Sequence, residues 1–148
     1  MSSFGKIFKE VELNSLLESE SSDLIKEAVN CGVMCLRGEE QSIASLSNLG
    51  RRFGELKKQV LRDHRVDGFP GVSKISNKHR DTLGDGSKIN LGSHWHTDDS
   101  YLEYPASFTL LNAKIIPGEG KGSTLFADTK AAWESLHNDI KEKIEGLK

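Results

Sequence analysis

The spacing of apolar residues in the first third of the chain predicts strands that alternate with helices. Residues 4–13 form a short, mostly apolar segment that is expected to be a strand. Residues 21–32 predict a helix, because serines can cap its start, apolar residues share one face and a glycine ends it. The uninterrupted apolar run 33–36 predicts a buried strand. Residues 43–54 predict a second helix, since apolar positions recur every three or four residues before a closing glycine.

The pattern changes after this helix. Residues 57–91 mix charges with glycines and prolines and predict a long, mostly irregular stretch that serves a site. Residues 107–116 and 124–127 predict strands, separated by a glycine-rich turn. Two helical segments, 128–136 and 139–145, end the chain. Because helices are missing between the later strands, a doubly wound parallel sheet is disfavoured, and the pattern predicts an α+β or mainly β fold with flanking helices.

Charge and composition narrow the function classes. Twenty Lys and Arg balance 22 Asp and Glu, which argues against nucleic acid or an anionic membrane as the main partner. No apolar run approaches the roughly 18 residues that span a bilayer, and the first ten residues do not resemble a signal peptide. Cys31 and Cys35 have no second pair for a zinc site, so reduced, buried thiols are expected. We therefore expect a cytoplasmic protein.

The densest group of potential metal ligands is the segment 93–99, which reads Ser-His-Trp-His-Thr-Asp-Asp. In an extended strand, His96 and Asp98 would lie on one face and could take adjacent positions on one octahedral metal. Imidazole with carboxylate is the donor set of the facial triad in non-haem Fe(II) oxygenases. The sequence therefore predicts a metal site at His96 and Asp98.

Other histidines offer alternatives. A second His-x-Asp pair, His79 and Asp81, lies in a run of polar residues and is expected to be a solvated loop. His94 shares strand parity with His96, but residues four apart on a straight strand are separated by roughly 13 Å. A site built from His94, His96 and Asp98 would therefore need a sharp bend.

Several motifs in order along the chain resemble the taurine dioxygenase and 2,4-dichlorophenoxyacetate dioxygenase family. The family's signature is a WHTD core, a downstream GGDTLFAD-like stretch and an AAYEAL-like helix. Similar segments occur here as RFGEL at 52–56, LGDG at 83–86, WHTD at 95–98, TLFAD at 124–128 and AAWESL at 131–136. The similarity runs from about residue 33 to residue 146.

This resemblance implies a fold, a cofactor and a site. The fold would be a partial double-stranded β-helix, a jelly roll, with residues 1–148 as the N-terminal portion of one taurine dioxygenase-like domain. His96 and Asp98 would bind Fe(II), and Thr124 would bind the distal carboxylate of 2-oxoglutarate. Gly92 stands where family members often carry a polar group for the substrate. The third ligand and the Arg that pairs with 2-oxoglutarate would lie further downstream, since His137 sits on a charged helical segment.

The function implied is oxidative decarboxylation of 2-oxoglutarate to succinate, coupled to hydroxylation of a small organic acid. This chain alone is expected to be inactive, since it lacks the third ligand and the Arg. Two alternatives from other classes stay open: a non-catalytic half-barrel that binds a partner through a sheet edge, and a cupin-like metal-binding protein without oxygenase activity. Expected partners are a small organic acid and either a second copy or a complementing C-terminal half.

Overall fold

The computed structural model describes residues 4–11, 21–76, 80–82, 88–90 and 92–147. The chain divides into two compact units. Unit 1 comprises Met1–Glu39 and Ile115–Lys148, and unit 2 comprises Glu40–Lys114. Each unit is described by itself below.

Unit 1 begins with a strand, a helix and a second strand, as the apolar pattern predicts. The prediction that the second strand is buried is wrong, because its side chains are half-buried or exposed. Strand β1 (Lys6–Val11) pairs in parallel with β2 (Met34–Gly38), and helix α1 (Ser21–Cys31) connects them. Parallel neighbours need such a crossover, because a tight turn can join only antiparallel strands. Lys6 and Glu27 link β1 to α1 through an ion pair of 2.7 Å between Nζ and Oε1.

The two cysteines of unit 1 are both free thiols, but the expectation that both are buried is wrong for one of them. Cys31 ends α1 and is buried, whereas Cys35 on β2 is exposed. The buried thiol behaves here as a small apolar side chain in a thin core.

The end of unit 1 contains the two predicted helices, α3 (Thr129–Ser135) and α4 (Asn138–Ile144). The Asp128 side chain caps α3 by accepting a hydrogen bond of 3.0 Å from the backbone N–H of Ala131. The strand predicted at 124–127 is wrong for the described residues, because no ladder hydrogen bonds form there.

Unit 2 is organised by helix α2 (Ile43–Phe53), which begins at the predicted place and ends at Gly54. The Ser42 hydroxyl accepts a 3.0 Å hydrogen bond from the Ser45 N–H and caps the helix. Helix α2 packs against strand β4 (Phe69–Ser73) and contributes Leu49, one of the few buried apolar side chains among the described residues.

The prediction of an irregular stretch at 57–91 is wrong in part. A 3-10 turn at Arg62–His64 leads into β3 (Arg65–Val66), which pairs antiparallel with β4 across an Asp67-Gly68 turn. Gly68 has a φ of +78°, the conformation that glycine adopts most easily in tight hairpin turns. A further antiparallel pair, β5 (Arg80–Thr82) and β6 (Lys88–Asn90), lies in the same stretch.

The segment 107–116 is not the paired strand that its composition predicts, because none of the described residues from 92 to 147 joins a β-ladder. The period-2 pattern is nevertheless present. Side chains at even positions from Ala106 to Asn112 are half-buried, and those at odd positions are exposed. The sequence thus specifies an alternating segment, but a strand also needs a neighbour for its backbone hydrogen bonds.

The described residues combine helices with three two-stranded sheets. The partial jelly roll implied by the family resemblance stays a prediction. Across the described part of the chain, no helix has both the length and the apolar character needed to cross a membrane.

Candidate metal centre

The segment that carries the predicted ligands is irregular rather than extended. Residues 95–97 have no regular secondary structure, and a turn begins at Asp98. Asp99 adopts a positive φ of 57°, a left-handed conformation that Asp tolerates better than most residues. The Leu102 N–H closes the turn on the Asp99 carbonyl at 2.9 Å. The strand geometry expected for His96 and Asp98 is therefore wrong, although the two side chains still meet.

His96 is oriented by its own backbone neighbourhood. Its Nδ1 lies 2.7 Å from the carbonyl oxygen of His94. A carbonyl can only accept a hydrogen bond, so this contact requires that Nδ1 carries the proton. In the neutral imidazole, the lone pair is then on Nε2, which is the tautomer that can bind a metal.

Asp98 presents one carboxylate oxygen to that nitrogen. Its Oδ1 lies 3.4 Å from His96 Nε2. Its other oxygen, Oδ2, accepts a 2.9 Å hydrogen bond from the hydroxyl of Thr109. Both side chains are about half exposed, so solvent and ligands can reach the two facing atoms.

These two atoms fit a shared metal ion. Two donors at about 2.1 Å from one ion, in adjacent octahedral positions, are separated by about 3 Å. The observed 3.4 Å between His96 Nε2 and Asp98 Oδ1 is close to this separation. Two unprotonated acceptors facing each other repel unless a proton or a cation lies between them. The arrangement therefore suits a divalent cation with nitrogen and oxygen donors.

The part of the chain that the structure describes brings no third protein ligand to this pair. Among the described residues, no group of three or more His, Cys, Asp or Glu side chains is arranged to hold a metal ion. His94 contributes its carbonyl to the orientation of His96, and His137 is the N-cap residue of α4 in unit 1. The alternative pair cannot be compared, since His79 and the side chain of Asp81 lie outside the described residues.

The pair lines an open cleft of about 310 Å³ within unit 2. Sequence reasoning missed the other residues that line this cleft, which lie in and around the 3-10 turn and the β3–β4 hairpin. The Asp67-Gly68 dipeptide is the signal that could have revealed this hairpin. Gly92 also lines the cleft, and the residues from around the turn and the hairpin are Gln59, Leu61, His64, Ser73 and Ile75.

Lys57 fastens the turn that follows Asp98. Its Nζ lies 3.2 Å from Asp99 Oδ2 and 2.7 Å from the carbonyl oxygen of Tyr104. Asp99 is largely buried, with 22% of its side chain exposed. A single ammonium group thus joins both ends of the 99–104 turn to the segment that follows α2.

Thr124, the residue expected to bind 2-oxoglutarate, is exposed and belongs to unit 1. It lies in the segment that was expected to be a strand and that forms no ladder. Its role as a ligand-binding residue stays a prediction.

A histidine and a carboxylate that face each other on an open cleft define a candidate mononuclear metal centre. The family model described as "Taurine catabolism dioxygenase TauD, TfdA family" matches residues 1–148, and the chain belongs to this family.

Individual relatives agree with this assignment. The chain is 29% identical to an α-ketoglutarate-dependent 2,4-dichlorophenoxyacetate dioxygenase from Burkholderia sp., over 90% of this chain and 48% of that protein. It is 31% identical to pentalenolactone F synthase from Streptomyces arenae, over 78% of this chain and 39% of that protein. An α-ketoglutarate-dependent sulfonate dioxygenase from Saccharomyces cerevisiae is 24% identical, over 93% of this chain and 34% of that protein.

The chain spans between about a third and a half of the length of the curated relatives it matches. No solved structure matches it with statistical significance.

Proposed function

We propose that this chain carries the His96 and Asp98 ligands of the Fe(II) centre in a 2-oxoglutarate-dependent dioxygenase. The observation that carries the proposal is the 3.4 Å approach of His96 Nε2 to Asp98 Oδ1, with the other polar atom of each side chain held by a hydrogen bond. Membership of the dioxygenase family supports iron over other cations, since the same donors would also accept zinc or nickel.

The overall reaction would consume 2-oxoglutarate and O2 and release succinate and CO2. One oxygen atom enters succinate, and the other becomes a hydroxyl on a C–H carbon of the substrate. Bound Fe(II) would supply the oxygen chemistry, which no amino-acid side chain can perform. His96 and Asp98 would hold the metal, Leu61 and Ile75 add apolar surface to the cleft, and Thr124 would bind the distal carboxylate of 2-oxoglutarate.

The proposed substrate is a small organic acid. Relatives are named for 2,4-dichlorophenoxyacetate and for sulfonates, both of which are small and anionic. The cleft volume of about 310 Å³ accommodates a molecule of this size. Gly92 supplies no side chain to the substrate, so any polar contact would have to come from other residues of the cleft.

Metal binding tests the proposal directly. Co(II) is a suitable probe, because it is stable in air and its paramagnetism broadens NMR signals near its site even when binding is weak. We expect Co(II) to broaden the backbone amide signals of residues 95–98 in the purified chain. His96→Ala and Asp98→Asn should remove this local effect.

Matched controls come from the same segment. His94→Ala keeps the carbonyl that orients His96, and Asp99→Asn keeps a residue that tolerates the positive φ. Both should retain the broadening. If the control variants lose it to the same extent as His96→Ala, or if Co(II) affects other parts of the chain instead, the proposed centre is wrong.

Turnover is expected to need more than these residues. The described residues bring together two of the three protein ligands of a facial triad, and two ligands hold a metal loosely. We therefore expect the 148-residue chain to form no succinate from 2-oxoglutarate with Fe(II), ascorbate and a panel of small acids. Robust succinate formation would show that a further residue of this chain completes the site.

We also propose that this chain associates with additional polypeptide, either a complementing C-terminal half or a second copy. The supporting observation is the number of large apolar side chains left exposed in the segments around the site. Four in unit 2 are exposed by about 70% of their surface, namely Trp95, Tyr101, Tyr104 and Leu111. Large apolar side chains left in water favour association that covers them. Sedimentation velocity of the purified chain over a concentration series tests this, and a monomer at all concentrations with no complementing half bound would contradict it.

A further inference from the structure

Thr109 makes a contact with the candidate centre that the sequence pattern did not suggest. Its hydroxyl donates a 2.9 Å hydrogen bond to Asp98 Oδ2, across 11 positions of sequence. The other carboxylate oxygen, Oδ1, is the one that faces His96 Nε2. The hydroxyl thus occupies one oxygen of the carboxylate and leaves the other directed at the metal position.

The segment around Thr109 is anchored on its opposite face. Phe108 is half-buried, and its ring lies 5.1 Å from the ring of Phe53 at the end of α2, with the planes tilted by 58°. Successive side chains of an extended segment point to opposite sides. Burial of Phe108 against α2 therefore directs Thr109 to the other face, where Asp98 lies.

We propose that Thr109 is a positioning residue that fixes Asp98 as a monodentate metal ligand, an inference that rests on the proposed function. The Thr109 hydroxyl engages Oδ2 and so favours Oδ1, which faces His96 Nε2, as the oxygen that binds the metal. A carboxylate that bound through both oxygens would take an additional coordination position. Non-haem oxygenases of this type need open positions for their co-substrate and O2, so the hydrogen bond preserves the coordination that the chemistry requires.

The physical effect is on both affinity and geometry. Without its partner, the Asp98 carboxylate can rotate, and Oδ2 becomes free to compete for the metal. Hydrogen-bond partners of metal ligands typically contribute about 10- to 100-fold to metal affinity or activity. The rest of the site would stay intact, because the His94 carbonyl that orients His96 does not depend on Thr109.

The test uses Thr109→Val, which keeps the shape of the side chain and removes the hydroxyl, and Thr109→Ser, which restores a hydroxyl. Ser107→Ala is the matched control, since exposed Ser107 loses a hydroxyl two positions earlier on the same extended segment. Co(II) affinity is measured by NMR titration of the purified chain, and the visible absorption of bound Co(II) reports its coordination number. Backbone amide spectra without metal establish that each variant is folded.

We expect Thr109→Val to weaken Co(II) binding by about 10-fold or more and to change the absorption spectrum. Thr109→Ser and Ser107→Ala should bind Co(II) within about twofold of the unaltered chain and keep its spectrum. A folded Thr109→Val chain with unchanged affinity and spectrum would overturn the inference. A loss of affinity that Thr109→Ser does not restore would also overturn it, because the hydroxyl would not be its cause.

These outcomes separate the inference from the proposed function. If His96→Ala abolishes Co(II) binding while Thr109→Val leaves it unchanged, the centre stands and the role of Thr109 is wrong. If the unaltered chain shows no binding that depends on His96, both the centre and the inference are wrong.

Discussion

Replacement of Lys57 by methionine is expected to loosen the turn that follows the candidate ligand Asp98. The ammonium group of Lys57 contacts Asp99 Oδ2 at 3.2 Å and the Tyr104 carbonyl at 2.7 Å, and so joins the start and the end of this turn. Methionine keeps an unbranched side chain of similar length, so the variant removes the charge and the hydrogen bonds with little loss of packing.

The magnitude follows from the contacts and their exposure. Two unit charges 3.2 Å apart attract by about 1 kcal/mol in water and by about 5 kcal/mol at an effective dielectric constant of about 20. The Lys57 side chain is 39% exposed, so the attraction between the two charges is close to its value in water. Solvent screening reduces this attraction further. The hydrogen bond to the Tyr104 carbonyl adds roughly 1 kcal/mol. We therefore expect a loss of about 1 to 2 kcal/mol in the free energy of unfolding.

Urea denaturation followed by circular dichroism measures this loss. The matched control is Lys58→Met. Lys58 is exposed, and the contacts to Asp99 and to the Tyr104 carbonyl are made by Lys57. A double-mutant cycle with Asp99→Asn isolates the ion pair, for which we expect a coupling energy of about 0.5 to 1 kcal/mol. For a chain of 148 residues, about 1 kcal/mol also corresponds to roughly 3 to 4 °C in Tm.

Equal stability of the Lys57→Met and Lys58→Met chains would refute the structural role assigned to Lys57. A zero coupling energy in the cycle would show that Lys57 acts through the Tyr104 carbonyl and not through Asp99.

Three further predictions concern contacts elsewhere in the two units. The hydrogen bond from Lys114, and then its charge, lower the pKa of the exposed Glu40 carboxylate. Lys114→Met should return this pKa to its ordinary value in an NMR titration, and an unchanged pKa would contradict the pairing. The ion pair should stabilise the fold above the ordinary carboxyl pKa and lose this effect as the pH falls through the lowered value. Asp128→Ala should cost about 1 kcal/mol through loss of the α3 cap, and no change in urea midpoint would contradict that role. Leu49→Ala should cost about 2 to 3 kcal/mol, since Leu49 belongs to a small core, and a loss below 1 kcal/mol would show that it contributes little.

Local sequence signals determined the helices and the first strands of this protein. Helix α2 begins and ends where the periodicity and Gly54 predict, and α1 ends before Gly32. These features depend on interactions within a few residues, such as caps and one apolar face, and so they can be read from the chain itself. The His96 and Asp98 pair was also visible, because its residue types and motif are local.

Pairing between distant segments could not be determined in this way. The segment 107–116 has the composition and alternation of a strand, yet its described residues form no ladder. Conversely, the hairpin β3–β4 formed in a stretch whose weak apolar pattern predicted irregular chain. Strand formation depends on partners elsewhere in the sequence, and their presence is a property of the tertiary structure.

The candidate site shows the same division. The sequence by itself determined which two side chains could bind a metal, and the family motifs indicated which chemistry they would serve. Only the tertiary structure decided how they meet: the His94 carbonyl orients one ring, the Thr109 hydroxyl holds one carboxylate oxygen, and Lys57 fastens the turn between them and Tyr104. Thr109 and Lys57 lie 11 and 41 positions from Asp98, distances over which no periodic pattern in the sequence specifies a contact.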